Sequence, residues 1–117
     1  MIEIVLPFPD KRLNPNRANG RHYSAVASIK KKVRCDTAII AKVVANGLKF
    51  DLNDICIKVT FVYPDKRHRD LDNLYAACKA MVDGIADGLG INDKQFHPVI
   101  LMREYGKKPG ETRIEIG

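Results

Sequence analysis

Apolar and polar residues alternate with two different periods along the chain. Ile2, Ile4 and Leu6 are interleaved with Glu3 and Val5, which predicts a short strand closed by Pro7 and Pro9. Ile55, Ile57, Val59, Phe61 and Tyr63 alternate with Cys56, Lys58, Thr60 and Val62, predicting a second strand that ends at Pro64. Between them Val26, Ile29, Val33, Ile40, Val43 and Val44 recur at helical spacing, from an N-cap at Ser24 to a stop at Asn46-Gly47. A second helix is expected over residues 71–89. Counted at 100° per residue from Asp72, its Leu74, Ala77, Cys78, Met81, Ile85 and Leu89 fall between roughly 140° and 260°, a single apolar face. Gly88 and Gly90 stop it. Residues 99–105 and 112–116 read as two further strands, and Lys107-Lys108-Pro109-Gly110 between them as a hairpin turn.

The predicted order is therefore β-α-β-α-β-β: an α/β (α+β) single domain spanning 1–117, with two helices packed on a small mixed sheet. Such a sheet leaves a thin core for this length, and dimerisation would bury more. Composition agrees with a globular chain, at 45% hydrophobic and 29% charged residues. No apolar run approaches the ~20 residues that cross a bilayer, so no membrane association is expected. The first residues lack the basic and small-residue pattern of a signal peptide, which makes the cytoplasm the expected location. Cys35, Cys56 and Cys78 have no metal-site spacing and are expected to be reduced residues in or near the core.

Charge changes the picture. The formal net charge is +6, and it is uneven: from Lys11 to Arg34 the chain carries eight basic residues and no acid. These are Lys11, Arg12, Arg17, Arg21, Lys30, Lys31, Lys32 and Arg34; a second cluster is Lys66-Arg67-His68-Arg69. Basic blocks attract a polyanion irrespective of sequence, because each neutralised phosphate releases counterions; a solvated face kept for solubility has the same composition. Residues 10–23, rich in Asn, Pro and Gly, form a loop long enough to be functional.

Asp70 and Asp72 stand at the start of the second helix, and Asp93 just beyond its terminal glycines. Two residues apart in a regular helix diverge by about 200°; only if Asp70 is the non-helical N-cap can both carboxylates converge. Three aspartates meeting in a basic groove require a cation, and a hard oxygen-seeking ion such as Mg²⁺ suits them. The same residues also fit an N-cap, a first-turn acid favoured by the helix dipole, and a turn residue.

The segment Arg69-Asp70-Leu71-Asp72-Asn73-Leu74, with Ile91-Asn92-Asp93-Lys94-Gln95 downstream and Pro7-Phe8-Pro9 and Asn14-Pro15-Asn16-Arg17 upstream, resembles the RusA family of Holliday junction resolvases. The likeness extends over nearly the whole chain. It implies a homodimeric, Mg²⁺-dependent endonuclease for branched DNA, cutting four-way junctions in bacteria and their prophages. Asp70, Asp72 and Asp93 fall on the family's metal-binding aspartates, and Asn14, Asn16 and Arg17 on its DNA-contacting loop. Arg21, Lys30, Lys31, Arg34, Arg67 and Arg69 are expected to meet phosphates.

Two positions depart from that pattern. Asn92 replaces an acid, and Ala76 replaces the family's catalytic lysine. Lys79 is the nearest substitute. It lies on the face of Asp72 but two turns, roughly 10 Å, further along the axis, and an i,i+4 pair with Asp83 competes for it. A catalytically silent DNA-binding phage protein is therefore the alternative, and an RNA-binding module a weaker one. His68 has a phosphate contact or a solvent role open to it. Tyr23 and Phe96 are candidates for stacking on unpaired bases, or for the core.

Overall fold

Strand β2 (Ile55–Tyr63) lies at the centre of the core, with Ile57, Val59, Phe61 and Tyr63 almost inaccessible to solvent. The computed structural model describes residues 2–15, 23–50 and 53–117, with only the backbone of Tyr23 and Ser24. Around β2 are arranged β1 (Ile2–Leu6), β3 (Phe96–Tyr105) and β4 (Glu111–Ile116), in the order β1-β4-β2-β3. Strand β4 is antiparallel to both β1 and β2, whereas β3 runs parallel to β2. The sheet is thus mixed and the α+β class holds.

The expected hairpin does not form. Strands β3 and β4 lie on opposite sides of β2, and residues 106–110 cross over its end. The crossing is tight: a Cβ on Gly106 would lie 2.5 Å from Val62 Cγ1, and one on Gly110 2.7 Å from the Val62 carbonyl. Gly110 also has a φ of +77°, which only glycine adopts without strain. The pattern Lys-Lys-Pro-Gly marks a reversal, but a reversal does not say which strand the chain returns beside. Strand β3 begins at Phe96, earlier than expected, and its register on β2 shifts between Ile55 and Ile57.

Helix α2 (Leu71–Leu89) makes the crossover that two parallel strands require. Its predicted apolar face is buried as read, from Leu74 through Ala77, Cys78, Met81 and Ile85 to Leu89. Each large aliphatic there contributes ~1.5–3 kcal/mol by leaving water. Gly90, at φ +71°, supplies the left-handed cap.

Helix α1 (Tyr23–Ala45) packs differently from expectation. Thr37, Ala41 and Ala45 are its buried residues, while Ile39, Ile40, Val43 and Val44 are exposed. The cause is a very close helix-helix contact. A Cβ on Gly84 would stand 2.5 Å from the Arg34 carbonyl, and one on Gly88 2.4 Å from that of Ala38. Only small residues of α1 fit opposite such glycines, so the larger aliphatics turn outward. Cys78 is buried and Cys56 half-buried, but Cys35 is exposed on α1, contrary to the near-core placement expected. Burial pushes the Cys78 thiol up to about 12. Among the described residues no helix is long and apolar enough to cross a membrane.

Candidate functional site

Strand β2 delivers the chain to Pro64, and the loop from there to Asp70 is held rigidly. The Arg69 guanidinium stacks on the rings of Phe8 and Tyr63, at 5.4 and 5.1 Å from their centroids. It donates to Asp65 Oδ1 and to the Arg67 carbonyl, both at 3.0 Å, and the Tyr63 hydroxyl donates to the Arg69 carbonyl at 3.1 Å. The hydrogen bond from Arg69, with one from the Arg67 backbone N–H, holds the Asp65 carboxyl below its ordinary range. Arg69 is therefore a strut of the loop; of the two arginines expected to meet phosphates here, its side chain is only 19% exposed and that of Arg67 77%.

The strut fixes Asp70. This residue is the N-cap of α2 with extended backbone (φ −79°, ψ 128°), yet its side chain makes no capping hydrogen bond. The carboxylate instead points outward, 3.4 Å from His68 Nε2 and 3.4 Å from Asn73 Nδ2, which donates to it. The cap geometry that convergence with Asp72 requires is thus present at Asp70, while Asp72 is exposed in the first turn. Opposite stands the segment after β1, where Asp10 accepts from the backbone of Arg12 and pairs with its guanidinium at 2.7 Å. Between the two segments lies a cleft of about 550 Å³, lined by Phe8, Lys11, Asn14, Arg67, His68 and Asp70 among others. Asn14, from the loop expected to touch DNA, and Asp70, from the acidic motif, thus share one cleft. Asn16, Arg17 and Arg21 lie outside the described residues.

A second hollow, of about 390 Å³, opens between α1 and α2. Lys30, Lys31, Arg34 and Lys79 stand around a floor of Ala76, Ala77 and Ala80, and Ala77 also lines the first cleft. Its cations are not equivalent. Arg34 donates to Asp87 through Nε at 2.6 Å and Nη2 at 3.0 Å, and its Nη1 is 3.9 Å from Asp83. That pairing raises the Arg34 pKa and lowers that of Asp87. Lys32 is paired with Asp36 at 2.7 Å. Lys30 and Lys31 are exposed and have no carboxylate partner among the described residues.

Lys79 turns away from Asp72. Its ammonium donates to Asp83 at 2.7 Å and to Asp93 at 3.1 Å. Burial lowers its pKa, but the two carboxylates outweigh that and the net shift is upward; Asp93 is correspondingly held low. Asp93 itself opens a 3₁₀ turn (Asp93–Gln95) in which Asn92 accepts from the Lys94 N–H at 2.9 Å.

A Mg²⁺ ion tests this arrangement. Its oxygen ligands stand ~2.1 Å from the metal, so carboxylates sharing it must lie within about 4 Å of one another. Lys79 and Asp83 are ~10 and ~16 Å from Asp72 along the helix axis. Asp93, bound at their level, is too distant to share an ion with Asp70 and Asp72 in one protomer. Among the described residues no group of three His, Cys, Asp or Glu side chains is arranged to hold a metal. The expected convergence of Asp70, Asp72 and Asp93 is thus not found within one chain. Lys79 correspondingly serves the far acid, not the near pair.

Phe96 is buried at 7% exposure and belongs to the core, not to a stacking platform. The side chain of Tyr23 lies outside the described residues. The Phe8–Arg69–Tyr63 stack and the Arg34–Asp87 bridge escaped the sequence reading. Asp83 and Asp87 at i,i+4 on α2 were the available signal for the bridge; nothing local marks the stack.

No family model matches this chain. It is 33% identical over 104 residues to an uncharacterized protein of Xylella fastidiosa, covering 86% of this chain and 67% of that one. The chain belongs to the same family as that protein. The likeness spans most of the domain, so the helices and strands that frame the cleft fall largely within the shared region.

Proposed function

We propose that this protein is a structure-selective endodeoxyribonuclease that resolves four-way (Holliday) DNA junctions in recombination and repair, acting in the cytoplasm as a homodimer with Mg²⁺. The observation that carries the reading is the Asp70 carboxylate. It stands at an N-cap without capping the helix, at the mouth of a cleft bordered by Lys11, Asn14, Arg67 and His68. An acid left free of its structural task, inside a region built to attract phosphate, suits chemistry on a phosphodiester better than it suits stability. The chain's resemblance to the RusA resolvases, strongest at Arg69 to Leu74, gives the substrate class.

In this reading Lys30, Lys31 and Arg67 hold DNA phosphates, and the rigid Arg69 strut keeps Asp70 oriented while DNA binds. Asp72 lies beside it in the first helical turn. One protomer alone does not assemble Asp70, Asp72 and Asp93 around an ion, so Mg²⁺ enters only as the resemblance implies it. That same dispersal, with Ala76 in place of a lysine and Lys79 occupied by Asp83 and Asp93, favours a second reading: a phage protein that binds branched DNA without cutting it.

Asp72→Asn separates the roles. Loss of Mg²⁺-dependent cutting of a synthetic junction, with gel-shift affinity intact, is expected of the nuclease. Retained cutting removes the carboxylate from the chemistry. Binding without nicking by the unaltered protein, at any Mg²⁺ or Mn²⁺ concentration, supports the second reading.

A further inference from the structure

The stacking surface that Phe96 does not supply stands at the other end of β3. The strand's register sets Tyr105 beside Tyr63 and Arg103 beside Phe61, so both project from the face of the sheet that the helices cover. Strand β3 is an edge, however, and Tyr105 remains 60% exposed. Its ring meets that of Tyr63 edge to face, with centroids 5.6 Å apart and planes at 87°, which occupies at most one of its faces. Phe8 follows β1 and Tyr105 ends β3, at the two edges of the sheet, so they pack on Tyr63 from opposite sides. The Tyr63 hydroxyl in turn donates to the carbonyl of Arg69, the residue before Asp70. Tyr105 is therefore one ring removed from the strut that fixes the Asp70 carboxylate.

Charge accompanies the ring. Arg103 is exposed and has no carboxylate partner among the described residues; the adjacent Glu104 turns to the other face and pairs with Arg113 at 2.6 Å. Burial raises the pKa of the Tyr63 hydroxyl, the Arg103 cation opposes that and Asp70 adds to it, so both charges reach the same hydroxyl. Beyond Tyr105 the crossing to β4 carries the exposed Lys107 and Lys108 and arrives at Pro109, which lines the cleft that holds Asp70. No acid interrupts residues 105–110. A surface of cations and one open ring thus runs from the β3 edge to the cleft. That combination holds bases freed from a duplex, the ring by stacking and the cation by its phosphate.

We propose that Arg103 and Tyr105 form a second DNA contact on the β3 side of Asp70, the guanidinium taking a backbone phosphate and the ring stacking on a base face exposed at the branch point. In linear duplex each base is covered by its neighbours, and only where helices part is a face free for the ring. Tyr105 is thus a specificity-determining residue. The contact rests on the reading of this protein as a junction nuclease and supplies that reading with a means of telling a branch from a continuous helix.

Fluorescence anisotropy in EDTA, with a labelled four-way junction and a linear duplex of the same sequence, tests it without cutting. Tyr105→Leu, which keeps an apolar contact on Tyr63, is expected to weaken junction binding about 5- to 150-fold, as loss of one stacked base does, and to leave duplex binding unchanged. Tyr105→Phe is expected to bind the junction as the intact protein does. Arg103→Gln is expected to lower the log–log salt slope for the junction by about 1, whereas Tyr105→Leu leaves the slope alone. Junction affinity unaltered in Tyr105→Leu, equal losses on junction and duplex, or a slope unaltered in Arg103→Gln would overturn the proposal. If Tyr105→Leu fails to fold, Arg103→Gln, which disturbs no packing on Tyr63, decides alone. Junctions bound and cut normally by Tyr105→Leu sink this contact and spare the function; a junction held through Tyr105 yet never nicked does the reverse.

Discussion

Gly84→Ala puts the α1–α2 contact to a test whose sign is unusual. In an open helical position the change stabilises by up to ~1 kcal/mol, because alanine loses less conformational freedom on folding. Here the added Cβ would stand 2.5 Å from the Arg34 carbonyl oxygen and 2.9 Å from Thr37 Cβ. Both neighbours are fixed by the backbone of α1, so no rotamer change relieves the clash. Ordinary contact begins near 3.4 Å, which means the helices must part by about 0.9 Å. Overpacking of this kind costs ~1–3 kcal/mol, and after the propensity gain a net loss of ~1–2 kcal/mol is expected. For a domain of this size that lowers Tm by roughly 4–8 °C. Thermal and urea unfolding followed by circular dichroism measure it directly. The parted helices also stretch the Arg34–Asp87 bridge, so the pair's coupling in a double-mutant cycle is expected to shrink in the Gly84→Ala background. An unchanged or raised Tm would refute the close approach, and with it the reason that α1 turns its aliphatics outward.

Two further outcomes follow from charge. Asp93 is held low by Lys79, so its contribution to stability is present above the ordinary carboxylate pKa of ~3.9 and disappears as pH falls through the depressed folded value. Carboxyl NMR titration is expected to show Asp93 returning toward the ordinary value in Lys79→Met; identical titration in both proteins would mean the ion pair is not formed in solution. Lys31→Glu, which breaks no ion pair among the described residues, is expected to weaken junction binding and reduce the log–log salt slope by about 1 per lost phosphate contact. An unaltered slope would show that the exposed flank of α1 does not face DNA.

How far the sequence discloses the fold depends on which interaction sets each feature. Strand β2 and helix α2 were legible to the residue at both ends, because burial writes a clean period of two or 3.6 and because Pro64, Asp70 and Gly90 punctuate it. The stripe on α1 misled, since its inward face is chosen by two glycines on another helix and not by its own hydrophobicity. Sheet order was hidden for a related reason. Alternation states which residues share a face, never which strand lies next door, and the reversal at 107–110 looked like a hairpin until the strand between was seen. At the candidate site, the uncapped placement of Asp70 was within reach of cap reasoning. The separation of Asp93 was within reach too: it follows the C-cap of a 19-residue helix that Asp70 begins, which puts the two at opposite ends of α2 whichever way β3 runs.

The central claim is that this chain hydrolyses phosphodiesters at DNA branches. Incubating the intact protein with a mobile four-way junction beside linear duplex of the same sequence, with Mg²⁺ or with EDTA, tests it most directly. The account predicts paired, symmetry-related nicks in the junction only, dependent on Mg²⁺ and abolished by Asp70→Asn. Equal cutting of linear duplex, or a junction bound tightly yet never nicked, would contradict it.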